Sequence, residues 1–358
     1  MRIDKSTEKY EAWLAERIPL IASDLNLKHV LMREAPFPFL RATFYRWAQT
    51  FPADCGSAAS APAVLGVGDL HVENFGTWRD IEGRLIWGIN DFDEACHVPY
   101  TCDLVRLATS ANLAIAAEHL RVPAVRASQA ILDGYNAGLR TGGRAFVLAE
   151  HHPALRQMAV ERLKQPELFW EKLNALPTWR GKIPPSAAKA LRRMMPDQNL
   201  PARVVHRLAG MGSLGRRRFV ALADWHNGSI AREVKELTES AWHWFVEGGS
   251  KSEILYQDAL NCARRCPDPF VKRKGRWIVR RLAPDCSRIE LSSLPAKHDS
   301  VRLLESMGFE TANVHLGTPK IGLVKADLRK RKAGWLHSAS LAMVESVTED
   351  WRKWRKRG

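Results

Sequence analysis

The chain has 358 residues, with 54 Lys and Arg against 39 Asp and Glu, a formal net charge of +15. At 46% hydrophobic and 26% charged, with 13 Trp, it is long and apolar enough for a sizeable core, which excludes a disordered or low-complexity chain. No uncharged apolar run approaches the roughly 20 residues of a membrane span, the charged start lacks the apolar segment of a signal peptide, and six cysteines do not suggest a disulfide framework.

A cytoplasmic protein with reduced thiols is therefore expected, and its positive balance favours anionic partners such as nucleotides, phosphorylated substrates or nucleic acid. Part of the excess lies in Asp327–Lys332 and Trp351–Arg357. Those runs read as solvated helix ends, where basic residues suit the dipole, with a nucleic-acid or membrane patch as the alternative.

In chain order, residues 6–50 are predicted helical. Ser6 or Thr7 can cap, Tyr10, Trp13, Leu14, Ile18 and Ile21 recur at helical spacing, and Ala35–Pro38 breaks the run before a second apolar face at Phe39–Trp47. A small, polar loop at 52–62 leads to a short buried strand, Ala63–Val67. Phe75–Trp78 and Leu85–Ile89 read as a hairpin joined through Arg79–Gly83. Residues 103–140 form a helical pair with a break near Pro123, and the proline-rich stretch 150–200 suits a connector. From Val204 strands dominate: Arg203–Leu208, Arg218–Leu222, Ile230–Lys235, Phe270–Lys272 and Trp277–Leu282, with a helix at about 250–265. Helices return after Pro295. This gives an α+β chain in three parts: a helical lobe (1–200), a β-rich lobe (201–290) and helices returning to the first lobe (291–358).

The densest chemical signal is Gly68-Asp-Leu-His-Val-Glu-Asn-Phe75, followed after the hairpin by Asn90-Asp-Phe-Asp-Glu94. The turn is expected to bring Asp91 back beside Asn74. One exposed carboxylate with further hard-oxygen donors is what magnesium-dependent phosphoryl transfer needs: donors for Mg²⁺, and a carboxylate to orient a substrate hydroxyl and take its proton. The plainer reading is a hairpin whose Asn, Asp and Gly residues only form turns.

The second signal is Gly210-Met-Gly-Ser-Leu-Gly215, then a strand, a turn and a strand ending Val234-Lys235-Glu236. A dinucleotide-binding fingerprint would need a helix straight after the third glycine. Arg216–Leu222 reads as a strand instead, so the order suits a loop covering phosphates. Gly210, Gly212, Ser213 and Gly215 would then lie over the phosphates and Lys235 would meet their charge. Glu253 falls about where an acid pairing with that lysine is expected, with Glu236, Glu239 and Asp258 competing.

The first segment resembles the catalytic and metal loops of the protein-kinase-like superfamily, especially its aminoglycoside phosphotransferase branch. The resemblance implies that Asp69 is the catalytic base, that Asn74 and Asp91 hold magnesium with help from Asp93, and that Asp103 in Cys102-Asp103-Leu104 is structural. Val67 stands where a loop-bracing His is usual. The glycine loop and lysine follow the catalytic loop by about 140 residues instead of preceding it, which implies a circularly permuted two-lobed fold. The combined motifs also resemble, over roughly 30–345, a bacterial family carrying a domain-of-unknown-function label. The expectation is an ATP- and Mg²⁺-dependent phosphotransferase acting on a small-molecule or protein hydroxyl. A nucleotidyl transferase or non-catalytic nucleotide binder is one alternative, and a basic nucleic-acid-binding protein another. Arg280 and Arg281 are lesser candidates for facing phosphate.

Overall fold

The computed structural model describes residues 1–153, 155–157, 166–246, 253–286 and 299–357. The chain opens with helices Ile3–Ala15, Ala22–Leu31, Pro36–Ala42 and Phe44–Cys55. Ser6 and Thr7 lie inside the first of these rather than capping it. Both are buried, and Thr7 Oγ1 donates to the Ile3 carbonyl at 2.9 Å, so the hydroxyl is satisfied within the helix. Pro36 starts a helix where a break was expected, because proline's fixed φ and missing N–H suit a first turn.

Strands β1 (Ala63–Gly66), β2 (Phe75–Arg79), β3 (Leu85–Ile89) and β4 (Cys96–Pro99) follow, with β5 at Phe146–Val147. β2 and β3 form the expected hairpin, with Phe75 opposite Ile89, and β5 adds a third strand. β1 pairs antiparallel with β4, a partner too short and too polar to stand out in the sequence. Between β4 and β5 come the two predicted helices, Tyr100–Ala116 and Ala124–Thr141.

The larger sheet contains β6 (Arg203–His206), β7 (Arg218–Trp225), β8 (Gly228–Glu236), β9 (Lys272–Lys274) and β10 (Trp277–Leu282). Its order is β6-β7-β8-β10-β9, antiparallel throughout. One face packs Phe219, Val234, Trp277 and Val279 on Ala187, Ala190 and Leu191 of the Pro185–Met194 helix. The other packs Val205, Val220 and Leu282 on Leu173 of the Pro166–Asn174 helix. Residues 166–194, expected as part of a connector, are thus the layers that bury both faces of this sheet.

Between β8 and β9 the helix runs Tyr256–Cys262; the start of the predicted 250–265 segment lies outside the described residues. Helices Ser300–His315, Ile321–Lys330 and Trp335–Arg355 then return to the amino-terminal ones. Their buried side chains join one core with Trp47, Phe51, Leu104 and Ile131, so both ends of the chain build one helical body. The result is a mixed α+β protein with small sheets. No helix among the described residues is long and apolar enough to cross a membrane.

Candidate active site

A cavity of about 790 Å³ opens between the helical body and the five-stranded sheet. Asp69, Asn74, Asp91 and Asp93 line one side, and Gly210, Gly212 and Ser213 line the other.

The loop carrying Asp69 leaves β1 through Gly68, whose φ of +81° only glycine adopts readily. A Cβ there would lie 2.3 Å from the Glu94 carbonyl oxygen, so the loop can turn only without a side chain. Asp103, fully buried, braces this turn: its carboxylate accepts from the Val67 amide at 2.7 Å and the Gly68 amide at 2.9 Å. His315 Nε2 lies 3.0 Å from the same carboxylate, and Tyr135 Oη lies 2.8 Å from His315 Nδ1. The turn before Asp69 is therefore braced from two helices.

Asp69 accepts from Arg106, whose side chain is fully buried, stacked near Trp47 and bonded to the Leu40 carbonyl at 2.7 Å. Burial pushes the Asp69 carboxyl up to about 7; the charges of Glu94 and Asp91 add to this, and Arg106 opposes it. Arg106 was not singled out from the sequence. The signal was a lone charge inside the apolar run Leu104-Val-Arg-Leu-Ala108, since an Arg at a core position must be paired.

The Asn74 side-chain oxygen accepts from the His71 amide at 2.6 Å, and the Asn74 carbonyl accepts from the Asn90 amide at 2.9 Å. This second bond closes the mouth of the β2–β3 hairpin and brings the Asn90–Glu94 loop beside Asn74. Lys235, next to last on the central strand β8, reaches into the same loop. Its Nζ lies 2.5 Å from Asp93 Oδ1 and 3.4 Å from Asp91 Oδ1.

Burial opposes the charge on Asp91, but Lys235, a hydrogen bond from Asp93, Arg280 and Arg218 together hold its carboxyl well below the usual range. Asp93 moves upward, through burial and then through the charge of Asp91. Asp91 keeps 34% of its side chain open to the cleft, and its Oδ2 makes no hydrogen bond among the described residues.

Glu253 does not join this group. It is exposed, precedes the Tyr256–Cys262 helix and makes no ion pair with Lys235. The lysine's acids come instead from the Asn90–Glu94 loop, about 140 residues away in sequence and adjacent only through the fold. Of the competing acids, Glu236 pairs with Arg217 at 2.7 Å and Glu239 lies 3.8 Å from Arg17.

Gly210–Gly215 closes over the cleft. A Cβ on Gly212 would sit 3.2 Å from Asp69 Oδ2 and 3.1 Å from the Arg41 carbonyl, so the backbone lies directly against the proposed base. Gly210 and Gly215 both have positive φ. The loop is held from outside by the Ile21 amide, which donates to the Gly215 carbonyl at 2.8 Å, and by Lys28, 3.4 Å from the Gly212 carbonyl. Arg218 donates to Ser213 Oγ at 2.7 Å.

Arg207, Arg218 and Arg280 share one buried carboxylate, Glu233, at 2.7, 3.1 and 2.7 Å. All three also line the cavity. Strand alternation puts Glu233 on the same face as Lys235, a placement that follows from their spacing.

Asp91 with its free oxygen, Asn74 and Asp93 form an oxygen donor set that fits a hard divalent cation such as Mg²⁺. No cluster of three or more His, Cys, Asp or Glu among the described residues forms a ready-made metal cage. A cation here would complete its sphere with water and ligand oxygens.

A family described as an uncharacterized protein conserved in bacteria (DUF2252) matches residues 20–165, and over that stretch the chain is similar to it. The match holds Asp69, Asn74, Asp91, Asp93, Asp103 and Arg106, while Lys235 and the glycine loop lie beyond it. No curated protein and no solved structure matches the chain.

Proposed function

We propose that the chain is an ATP- and Mg²⁺-dependent phosphotransferase of protein-kinase-like, circularly permuted architecture, acting on a hydroxyl of a small molecule or protein. The observation that carries this reading is Lys235 meeting Asp91 and Asp93, whose side chains line a cleft that also holds Asp69 beneath Gly212. Phosphoryl transfer asks the protein mainly to position groups and offset charge, and this cleft supplies both means.

The arginines around Glu233 supply positive charge facing the cavity, Lys235 adds its charge from behind Asp91 and Asp93, and the backbone of Gly210–Gly215 roofs it. Asp91, Asn74 and Asp93 would hold the cation, which neutralises charge developing on the phosphate oxygens when bound. Asp69 takes the proton of the acceptor hydroxyl as that oxygen bonds to the γ-phosphorus. The bond from the γ-phosphorus to the β–γ bridging oxygen breaks, and ADP leaves. Arg106 fixes the orientation of Asp69 by occupying Oδ1, which leaves Oδ2 beside Gly212 for the substrate.

Incubation with γ-labelled and α-labelled ATP tests this reading. Mg²⁺-dependent γ-label transfer to a hydroxyl acceptor, or to water as a slow side reaction, is expected and should be lost in Asp69→Ala. Transfer of the α-label would identify an adenylylating enzyme instead. Saturable ATP binding with neither transfer would identify a nucleotide-binding protein.

A further inference from the structure

A second cavity of about 370 Å³ lies behind the metal-loop candidates, on the far side of Asn90 and Arg280, which line both cavities. Trp78, Tyr256, Leu260 and Val271 give it apolar walls. Besides Arg280, the guanidinium groups of Arg265 and Arg281 stand in those walls.

Arg281 makes no hydrogen bond and no ion pair among the described residues, and its Nε and Nη2 are buried without a partner. It stacks on Phe270 at 4.3 Å and stands directly across the β8–β10 pair from Arg232, another cation on the same ring at 5.0 Å. Like charges facing each other across strands destabilise a sheet. Arg265 lies over Trp78 at 4.2 Å with 5% of its side chain exposed. Its nearest carboxylate, Glu310, is 3.6 Å away, and Nη1 has no hydrogen bond. Burial weakens its hold on its proton.

Asp268 is the acid of this cavity. Its Oδ1 accepts from the Phe270 amide at 2.8 Å, and no ion pair joins it to either arginine. Burying cationic donors without acceptors costs several kcal/mol, as an order of magnitude, unless an anion meets them.

We infer that this cavity is a binding site for a small amphipathic carboxylate, an acid group on an aromatic or branched aliphatic body, with Arg281 and Arg265 facing the acid and Trp78, Tyr256 and Leu260 facing the body. The volume lies within the range of small-ligand pockets. Guanidinium groups pair with carboxylates through two parallel hydrogen bonds, and the apolar walls disfavour a fully hydrated ion such as phosphate. The inference does not depend on what reaction the larger cleft carries out.

Calorimetric titration of the full chain with phenylacetate, indole-3-acetate and 4-methylpentanoate tests it, with phenethyl alcohol and inorganic phosphate as controls. Saturable binding of at least one acid is expected, with the alcohol weaker by about tenfold or more, because a hydrogen bond to a charged group contributes about 1.5–3 kcal/mol. Arg281→Met, which keeps the stem on Phe270, and Leu260→Trp, which fills the space, should each weaken the acid by a similar factor while melting as the unaltered chain does. Failure of all three acids to saturate, equal affinity for the alcohol, tighter binding of phosphate, or undiminished binding in both variants would overturn the proposal.

Discussion

Asp69 stands between opposing influences: Arg106 draws its proton off, while burial and the acids around it hold the proton on and prevail, at about pH 7. A general base works only when deprotonated, so under the phosphotransfer reading kcat/KM is expected to fall about tenfold per pH unit below that point and to level off above it. Rates measured from pH 5 to 9 check this, and a flat profile would remove Asp69 from the role. The folded carboxyl binds its proton more tightly than an unfolded one at 3.8. Its contribution to stability is therefore full below about pH 4 and lost as pH rises through about 7. Asp69→Asn, which keeps an oxygen for Arg106, should melt no lower than the unaltered chain at pH 8 while transfer drops by roughly 10²-fold or more. A large loss of melting temperature would show that the carboxylate is structural. The grouping of Asp69, Asn74 and Asp91 was legible because they cluster in sequence around one hairpin. The partner of Lys235 was not: counting residues pointed to Glu253, whereas the lysine's acids come from a loop that only the tertiary fold carries there.

Elements matter here as braces. Asp103 ties the Tyr100–Ala116 helix to the turn before Asp69, and His315 locks it from the Ser300–His315 helix. Replacing it by Ala strands two buried amides and a histidine in a site with no solvent. The expected cost is about 3–5 kcal/mol, the range for breaking a buried charged pair, read as a lowered urea midpoint. Asp103→Asn keeps an acceptor and should cost less. His315→Ala should show the same signature more weakly if the helix is truly part of the brace; no effect would confine the support to Asp103. The strands of the hairpin were readable from their alternation and turn. β4 was not, because Cys96-His-Val-Pro99 has neither the length nor the apolar pattern of a strand and is held by its pairing with β1. Pro36 misled for a related reason: one residue type both breaks and begins helices, and only the neighbouring packing decides which.

At the scale of the molecule, the helical body draws on both ends of the chain while the five-stranded sheet comes from its middle. The helices at 166–194 were not assigned to the sheet because prolines obscure their periodicity, although their apolar faces cover it. Part of the +15 charge in the carboxy-terminal runs is paired. Arg331 pairs with Asp327, Lys353 with Glu349 and Arg357 with Glu8, and Trp354 is buried. Saturating Mg²⁺·ATP, at about a hundred times its dissociation constant, should stabilise the fold by about 2.7 kcal/mol. Generic duplex DNA at 150 mM salt, a concentration at which phosphate contacts are already weakened, should leave the melting temperature unchanged. The opposite pattern would favour a nucleic-acid-binding protein.

The roof of the cleft is fastened from outside by the segment that opens the second helix, through the Ile21 amide and the Gly215 carbonyl. Lifting the roof to admit a bulky guest therefore means unbuttoning that segment. The rate at which the Ile21 amide trades its hydrogen for deuterium becomes a clock for opening, and a guest lodged beneath should slow it.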